Sequence, residues 1–251
     1  MVKLIIMKNF KEIKKIVKEG YKKIAIEGSG CGCSCKSSKK ISKSIGYSND
    51  DIAIGEGANL GLGCGNPVAI SKIKKGDIVL DLGCGAGFDC FLASKKVGKI
   101  GKVIGVDMTE EMIKKARLNA EKIGVKNVEF ILAEIEKLPI NDKSVDIIIT
   151  NCVINLTPNK TKTFKEAYRV LREGGKIYIS DIVLLKKLSE KQKMDKDLLT
   201  GCVAGALLKE DYLEKIKKVG FSCRILSENK EISKQQYHGI ALESLMVELT
   251  K

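Results

Sequence analysis

From Phe10 to Ala25 apolar residues recur at helical spacing (Phe10, Ile13, Ile16, Val17, Ile24), and Gly28-Ser29-Gly30 ends the pattern. This predicts one long N-terminal helix. Cys31, Cys33 and Cys35 then alternate with Gly32 and Ser34, and residues 36–51 are polar enough to read as a loop with room for one short helix. Residues 55–67 carry Gly55, Gly57, Gly61, Gly63 and Gly65 around Cys64, which is backbone built to lie close to something.

After Lys75-Gly76 short apolar runs alternate with helical stretches, giving expected strands at 78–82, 103–106, 128–132, 145–150 and 176–180. Thr109 before Glu110-Glu111 and Gly124 after Ile123 bracket one helix; Thr157-Pro158 and Gly174-Gly175 bracket another. Such alternation predicts an α/β fold with a parallel, doubly wound, Rossmann-like sheet. Beyond Asp181 come a helical insertion over 188–208, a helix over 209–219, and two last strands around 221–226 and 241–249.

Composition narrows the partners. A chain of 251 residues, 44% hydrophobic and 30% charged with 3 prolines, has the makings of a sizeable core. The net charge of +14 comes mostly from dispersed lysines, and the four arginines form no cluster, so it reads as a solvated surface and not a nucleic-acid footprint. With 5% aromatics and no tryptophan there is no stacking platform either. No apolar run approaches the roughly 20 residues that span a bilayer, and residues 1–15 lack an export signal. The expectation is therefore no nucleic-acid or membrane partner. Nine cysteines without such a signal point to a reducing, cytoplasmic setting in which the thiols stay free.

The densest signal is Val79-Leu80-Asp81-Leu82-Gly83-Cys84-Gly85-Ala86-Gly87, three glycines at alternate positions between a strand and a helix. Asp107 closes the next strand about 20 residues further on, where a carboxylate can accept both ribose hydroxyls. The spacing is not G-x-G-x-x-G, and Asp81 precedes the first glycine. A carboxylate there repels a pyrophosphate and attracts a ligand bearing an amino group and a sulfonium. The loop resembles the D-x-G-x-G-x-G of class I S-adenosylmethionine (SAM)-dependent methyltransferases. That resemblance implies SAM as cofactor, held by Asp81, Gly83, Gly85, Gly87, Asp107 and its neighbour Met108, with Glu134 or Glu136 near the adenine.

The residues after the fourth strand bear on the methyl acceptor. Base N-methylases carry an aromatic there; this chain has Asn151-Cys152-Val153-Ile154-Asn155-Leu156, without one. Its single histidine, His238, reads as a surface or packing residue, so a base for oxygen methylation is lacking. Thiols are what the chain offers, at Cys64, Cys152 and Cys202. Taken singly each reads as a small buried hydrophobe, and spacing alone does not join them.

Four segments together, residues 57–67, 106–109, 151–156 and Gly201-Cys202 before Ala206-Leu207, resemble the arsenite methyltransferases. The resemblance implies that Cys64, Cys152 and Cys202 hold trivalent arsenic and that Asn151 lies at the cofactor. It also implies arsenite and methylarsenite as substrates, and a cellular thiol reductant, thioredoxin or glutathione, for turnover. Residues 1–70 would then be an N-terminal helix, cysteine-rich linker and active-site segment, 71–182 the SAM-binding core, and 183–251 a substrate-side α/β insertion. Cys84 stands where serine is common in the family, and Cys90 follows Asp89 as the family's cysteine does; both read as cofactor-loop or packing residues. Cys31, Cys33 and Cys35 lack zinc-knuckle spacing and read either as a thiol tail that captures arsenite or shuttles disulfides, or as incidental. The other readings are a quinone-type C-methyltransferase with its cysteines in the core, and a thiol-rich metalloid-binding protein with SAM as a mere ligand.

Overall fold

The computed structural model describes residues 2–27 (side chains from Phe10 onward), 38–55 and 57–251. The expected first helix runs over Val2–Glu27 (α1), with Val17 and Ile24 buried. Cys31, Cys33 and Cys35 lie outside the described residues. The stretch read as a loop with one short helix holds two, Ser38–Ser44 (α2) and Asn49–Ile54 (α3). Helix α3 starts on a reciprocal cap: Asp51 N–H donates to Ser48 Oγ, and Ser48 N–H donates to the Asp51 carboxylate. Pro67–Ile70 (α4) follows, capped by Asn66 Oδ1.

Strands Ile78–Leu82 (β1), Lys102–Asp107 (β2), Val128–Leu132 (β3), Val145–Asn151 (β4) and Leu171–Leu184 (β5) pair in parallel. Phe88–Val97 (α5) follows β1, Glu110–Ile123 (α6) follows β2, and Lys160–Val170 (α7) precedes β5. Residues 133–144, between β3 and β4, carry no helix. Glu190–Lys193 (α8), Lys196–Thr200 (α9), Lys209–Val219 (α10), Ser222–Asn229 (β6), Glu231–Gln236 (α11) and Leu242–Thr250 (β7) complete the chain.

The sheet order is β3-β2-β1-β4-β5-β7-β6, and β7 runs antiparallel to both its neighbours. The sheet is therefore mixed and not wholly parallel. Hydrophobic runs mark where a strand lies and not its direction, and an antiparallel return needs no crossover helix, which a parallel one does. Gly174-Gly175 also does other work than expected. Helix α7 already ends at Val170, and the glycines sit where the β4–β5 register jumps from Val145↔Leu171 to Ile147↔Lys176.

Alternation along the strands builds a core on each face. Val79, Ile147 and Ile149 pack with Phe91, Ala93 and Met112 on one side, whereas Leu80, Leu82 and Ile148 pack with Phe164, Tyr212 and Ile216 on the other. Helix α1 lies along α6, tied by a Lys22–Glu111 ion pair at 2.9 Å and by Lys115 Nζ donating to the Ala25 carbonyl at 3.0 Å. Gly20 lets α9 come close, since a Cβ there would lie 2.6 Å from Thr200 Cγ2. Strand order reverses between β1 and β4, which leaves a crevice at the carboxyl ends of the strands.

Candidate active site

That crevice is a cavity of about 590 Å³. Asp81, Gly83, Gly85, Asp107 and Met108 line it, as do Glu134, Glu136 and Asn151. Gly87 does not. It stands at φ +95 as the N-cap of α5, and a Cβ there would meet Phe91 and Phe130, so its part is packing beneath the loop. Gly85, at φ +51, has nothing within 4 Å of where its Cβ would stand, and its backbone lies bare to the cavity. The residues present thus fit a ligand that closes on the backbone of the loop.

Asp107 pins that loop. Its Oδ2 accepts from Gly85 N–H at 3.1 Å and its Oδ1 from Thr109 N–H at 2.8 Å, leaving lone pairs on both oxygens for ligand hydroxyls. Burial raises its pKa, against the pull of those N–H groups. Asp81 lies deeper and accepts from the Cys90 thiol at 3.2 Å; burial, with Asp89 nearby, pushes its carboxyl well above the usual range. A cationic group entering beside Asp81 would favour the ionised carboxylate. Glu134 and Glu136 are not free carboxylates. Lys14 of α1 pairs with Glu134 at 2.7 Å and also with the buried Glu136.

Asn151 joins the two halves of the site. Its Nδ2 donates to Gly65 O at 2.8 Å, Tyr47 Oη at 3.0 Å and Asp89 Oδ2 at 3.4 Å, while its Oδ1 accepts from Cys64 N–H at 3.1 Å. The Tyr47 hydroxyl donates to Asp89 Oδ1 at 2.7 Å, and burial lifts Asp89 to about 6. Gly63, at φ +108, packs so closely under Asn151 that a Cβ would lie 2.7 Å from Nδ2.

The three expected thiols come together from distant segments. Cys64 precedes α4, Cys152 follows β4 and Cys202 follows α9; all are buried and free. Cys152 has the other two thiols beside its own, and burial first, then those neighbours, pushes its pKa well up. Cys152 and Cys202 line the cavity, whereas Cys64 sits behind its wall, 3.5 Å from Ser180 Oγ. Cys202 Sγ donates to the Cys152 carbonyl at 2.7 Å and lies 4.0 Å from the Tyr21 hydroxyl. Among the described residues no three His, Cys, Asp or Glu side chains close on one point as a ready-made ion cage. A shared ligand would thus require the Cys202 thiol to turn from that carbonyl. Cys152 and Cys202 also hold left-handed backbone, at φ +57 and +65, which side-chain-bearing residues rarely adopt.

Behind the thiols is a buried polar network. Asp181 accepts from Asn155 Nδ2 at 2.8 Å, Ile182 N–H at 3.0 Å and the Tyr212 hydroxyl at 3.1 Å, and burial raises it to about 7. Lys160 donates to the carbonyls of Thr157 (3.0 Å) and Asn155 (3.3 Å), and burial lowers it to about 8. Sequence reasoning misses Lys14, Tyr47 and Ser180. Tyr47 falls in a stretch that reads as loop, and the other two sit among residues explained by helix surface and strand. Asp89 enters the sequence reading only as half of an Asp-Cys pair.

A family model described as a methyltransferase domain matches residues 73–220. The chain belongs to the class I methyltransferase family. Its relatives within that family are informative: it is 47% identical over 224 residues to an arsenite methyltransferase of Halobacterium salinarum, covering 84% of this chain and 57% of the relative. A solved arsenic(III) SAM methyltransferase from Chlamydomonas reinhardtii superposes with a TM-score of 0.66 at 33% identity, covering 87% of this chain and 75% of that one. A ubiquinone/menaquinone biosynthesis C-methyltransferase of Escherichia coli is 36% identical over 110 residues, covering 43% of this chain and 44% of the relative. The chain spans little more than half the length of the first of these relatives. Among the described residues no helix is long and apolar enough to cross a membrane.

Proposed function

We propose that the chain is an arsenite methyltransferase, carrying methyl groups from SAM to trivalent arsenic held by Cys64, Cys152 and Cys202. The observation that carries this reading is the meeting of these three thiols, from three distant segments, beside the glycine loop. Trivalent arsenic is soft and favours sulfur donors. Arsenite, As(OH)3, condenses with three neutral thiols to give three As–S bonds and three waters, so the raised pKa of Cys152 is no obstacle and no external base is called for. Three sulfurs leave the arsenic lone pair on the face away from them. SAM, when bound, supplies an electrophilic methyl group for which that lone pair is the nucleophile.

The chain's own residues then act by placement. Asp107, Gly83 and Gly85 hold the cofactor, with Met108 beside them and Asp81 answering its positive charge. Asn151 fixes the Cys64 backbone against the wall of the same cavity, which keeps the thiols and the cofactor in one register. Alignment of this kind contributes about 7–11 kcal/mol at best. A thiol reductant of the thioredoxin or glutathione class completes turnover. The arsenite methyltransferase of Halobacterium, matched over most of this chain, supports this reading above the quinone-type one, whose relative matches less than half of it. The test is incubation with SAM, arsenite and a thiol reductant. Methylated arsenic is expected; its absence, with methyl transfer to a quinone precursor instead, would reverse the order of the two readings.

A further inference from the structure

Two thiols outside the proposed substrate site face each other under the cofactor loop. Cys84 lies between Gly83 and Gly85 and lines the cavity; Cys90 is in the first turn of α5 and fully buried. Both point over Gly105 of β2. A Cβ on Gly105 would stand 2.9 Å from Cys84 Sγ, 2.8 Å from Cys90 Sγ and 2.8 Å from Phe130 Cδ1, so the two sulfurs meet over a glycine that leaves no room for a side chain, with the Phe130 ring closing the third side and Cys84 facing the cavity. The two thiols lie within hydrogen-bonding reach of each other, and each has one further partner: Cys84 donates to the Gly85 carbonyl at 3.8 Å, and Cys90 to Asp81 at 3.2 Å.

We infer that Cys84 and Cys90 form a second, inhibitory site for a monosubstituted trivalent arsenical, the class to which the product of the first methyl transfer belongs. The choice of ligand rests on the proposed function; the dithiol does not. Such a compound has two exchangeable hydroxyls and so matches two thiols, not three. The step balances as CH3As(OH)2 + 2 RSH → CH3As(SR)2 + 2 H2O. Two As–S bonds form, two As–O and two S–H bonds break, and arsenic stays trivalent, so neither oxidant nor reductant is consumed. Burial holds both thiols protonated, Cys84 pushed up to about 11, which suits a condensation that expels water.

The bridge has a consequence for the cofactor. It would tie the loop to α5, take from Asp81 its hydrogen-bond donor, and bring an arsenic and a methyl group against the floor of the cavity. Methylarsenite and SAM then bind in opposition, and accumulated methylarsenite would slow its own formation.

The experiment measures SAM affinity of the full chain by calorimetry, with and without methylarsenite. A weakening of about tenfold is expected, within the ordinary range of coupling between two sites. Cys90→Ser and Cys84→Ser should each remove the weakening. In the unsubstituted chain, a tryptic digest should carry one methylarsenic group on residues 76–95, which hold these two cysteines alone, and saturation with SAM should suppress it. Unaltered SAM affinity in methylarsenite, or a weakening that survives in both variants, would overturn the site. A chain that failed to methylate arsenite yet showed the adduct and the opposition to SAM would sink the proposed function and leave this site standing.

Discussion

Cys152 and Cys202 each pay for a backbone conformation that favours glycine, about 1–2 kcal/mol for a residue with a Cβ. Strain kept at both thiols fits residues retained for their sulfur. It also gives a signed prediction: Cys202→Gly should be more stable than Cys202→Ala by about 1 kcal/mol, the reverse of the order in a helix or strand, as read from thermal unfolding. A larger Tm for the alanine variant would contradict the strain. At Asp107 the chemistry is different. Its carboxylate holds Gly85 and Thr109 in place before any ligand arrives, so Asp107→Ala should weaken SAM binding by more than tenfold, while far-ultraviolet circular dichroism stays native. Unchanged affinity by calorimetry would remove Asp107 from the cofactor site.

Among the elements, the segment before α4 and the roof helix α1 set the shape of the cavity. Gly65 lies against Ser180 and Met246, and a methyl group there would collide with both side chains. Gly65→Ala should therefore push Cys64 off Ser180 and Asn151, lowering arsenite transfer at least tenfold with SAM affinity nearly kept; equal losses in both would point to general misfolding. Helix α1 is anchored by Lys14 on Glu134 and Glu136. Lys14→Met leaves the buried Glu136 without its cation and should loosen the roof, seen as faster amide exchange across α1.

At this scale the limits of sequence reading are physical. Strand and helix positions from β1 onward follow from period and from end signals such as Thr109 and Gly124, because those are local properties of the chain. The cap made by Ser48 and Asp51 is equally local, but it sits in a polar stretch whose composition reads as loop. The direction of β7 and the pairing of Lys14 with two glutamates are long-range facts without a local trace. So is the meeting of Cys64 with Cys152 and Cys202, which resemblance to a family suggests and spacing does not.

For the molecule as a whole, buried ionisable groups make stability depend on pH in a definite sense. Asp181 keeps its proton to about pH 7 when folded, but an unfolded aspartate loses it near about 3.9. Between these values the folded chain binds more protons, so its contribution to stability falls as pH rises through that window, by on the order of a few kcal/mol. Lys160, lowered to about 8, acts in the same downward-shifted sense as any buried amine: above that pH the unfolded chain holds the extra proton, and stability there rises with pH. Asp181→Asn, which mimics the protonated carboxyl, should flatten the dependence of Tm on pH between 4 and 7; a variant as steep as the parent would assign the effect to another group.

Thiols gathered from three segments are proposed to hold the arsenic that receives the methyl group. The most direct test is single-turnover methyl transfer from SAM to arsenite in the chain with Cys31, Cys33 and Cys35 changed to serine, compared with the same chain also carrying Cys152→Ser, with SAM affinity measured in both. Transfer is expected in the first, a loss of at least a hundredfold in the second, and similar SAM affinity in the two. Undiminished transfer in the Cys152→Ser chain would contradict the three-thiol site.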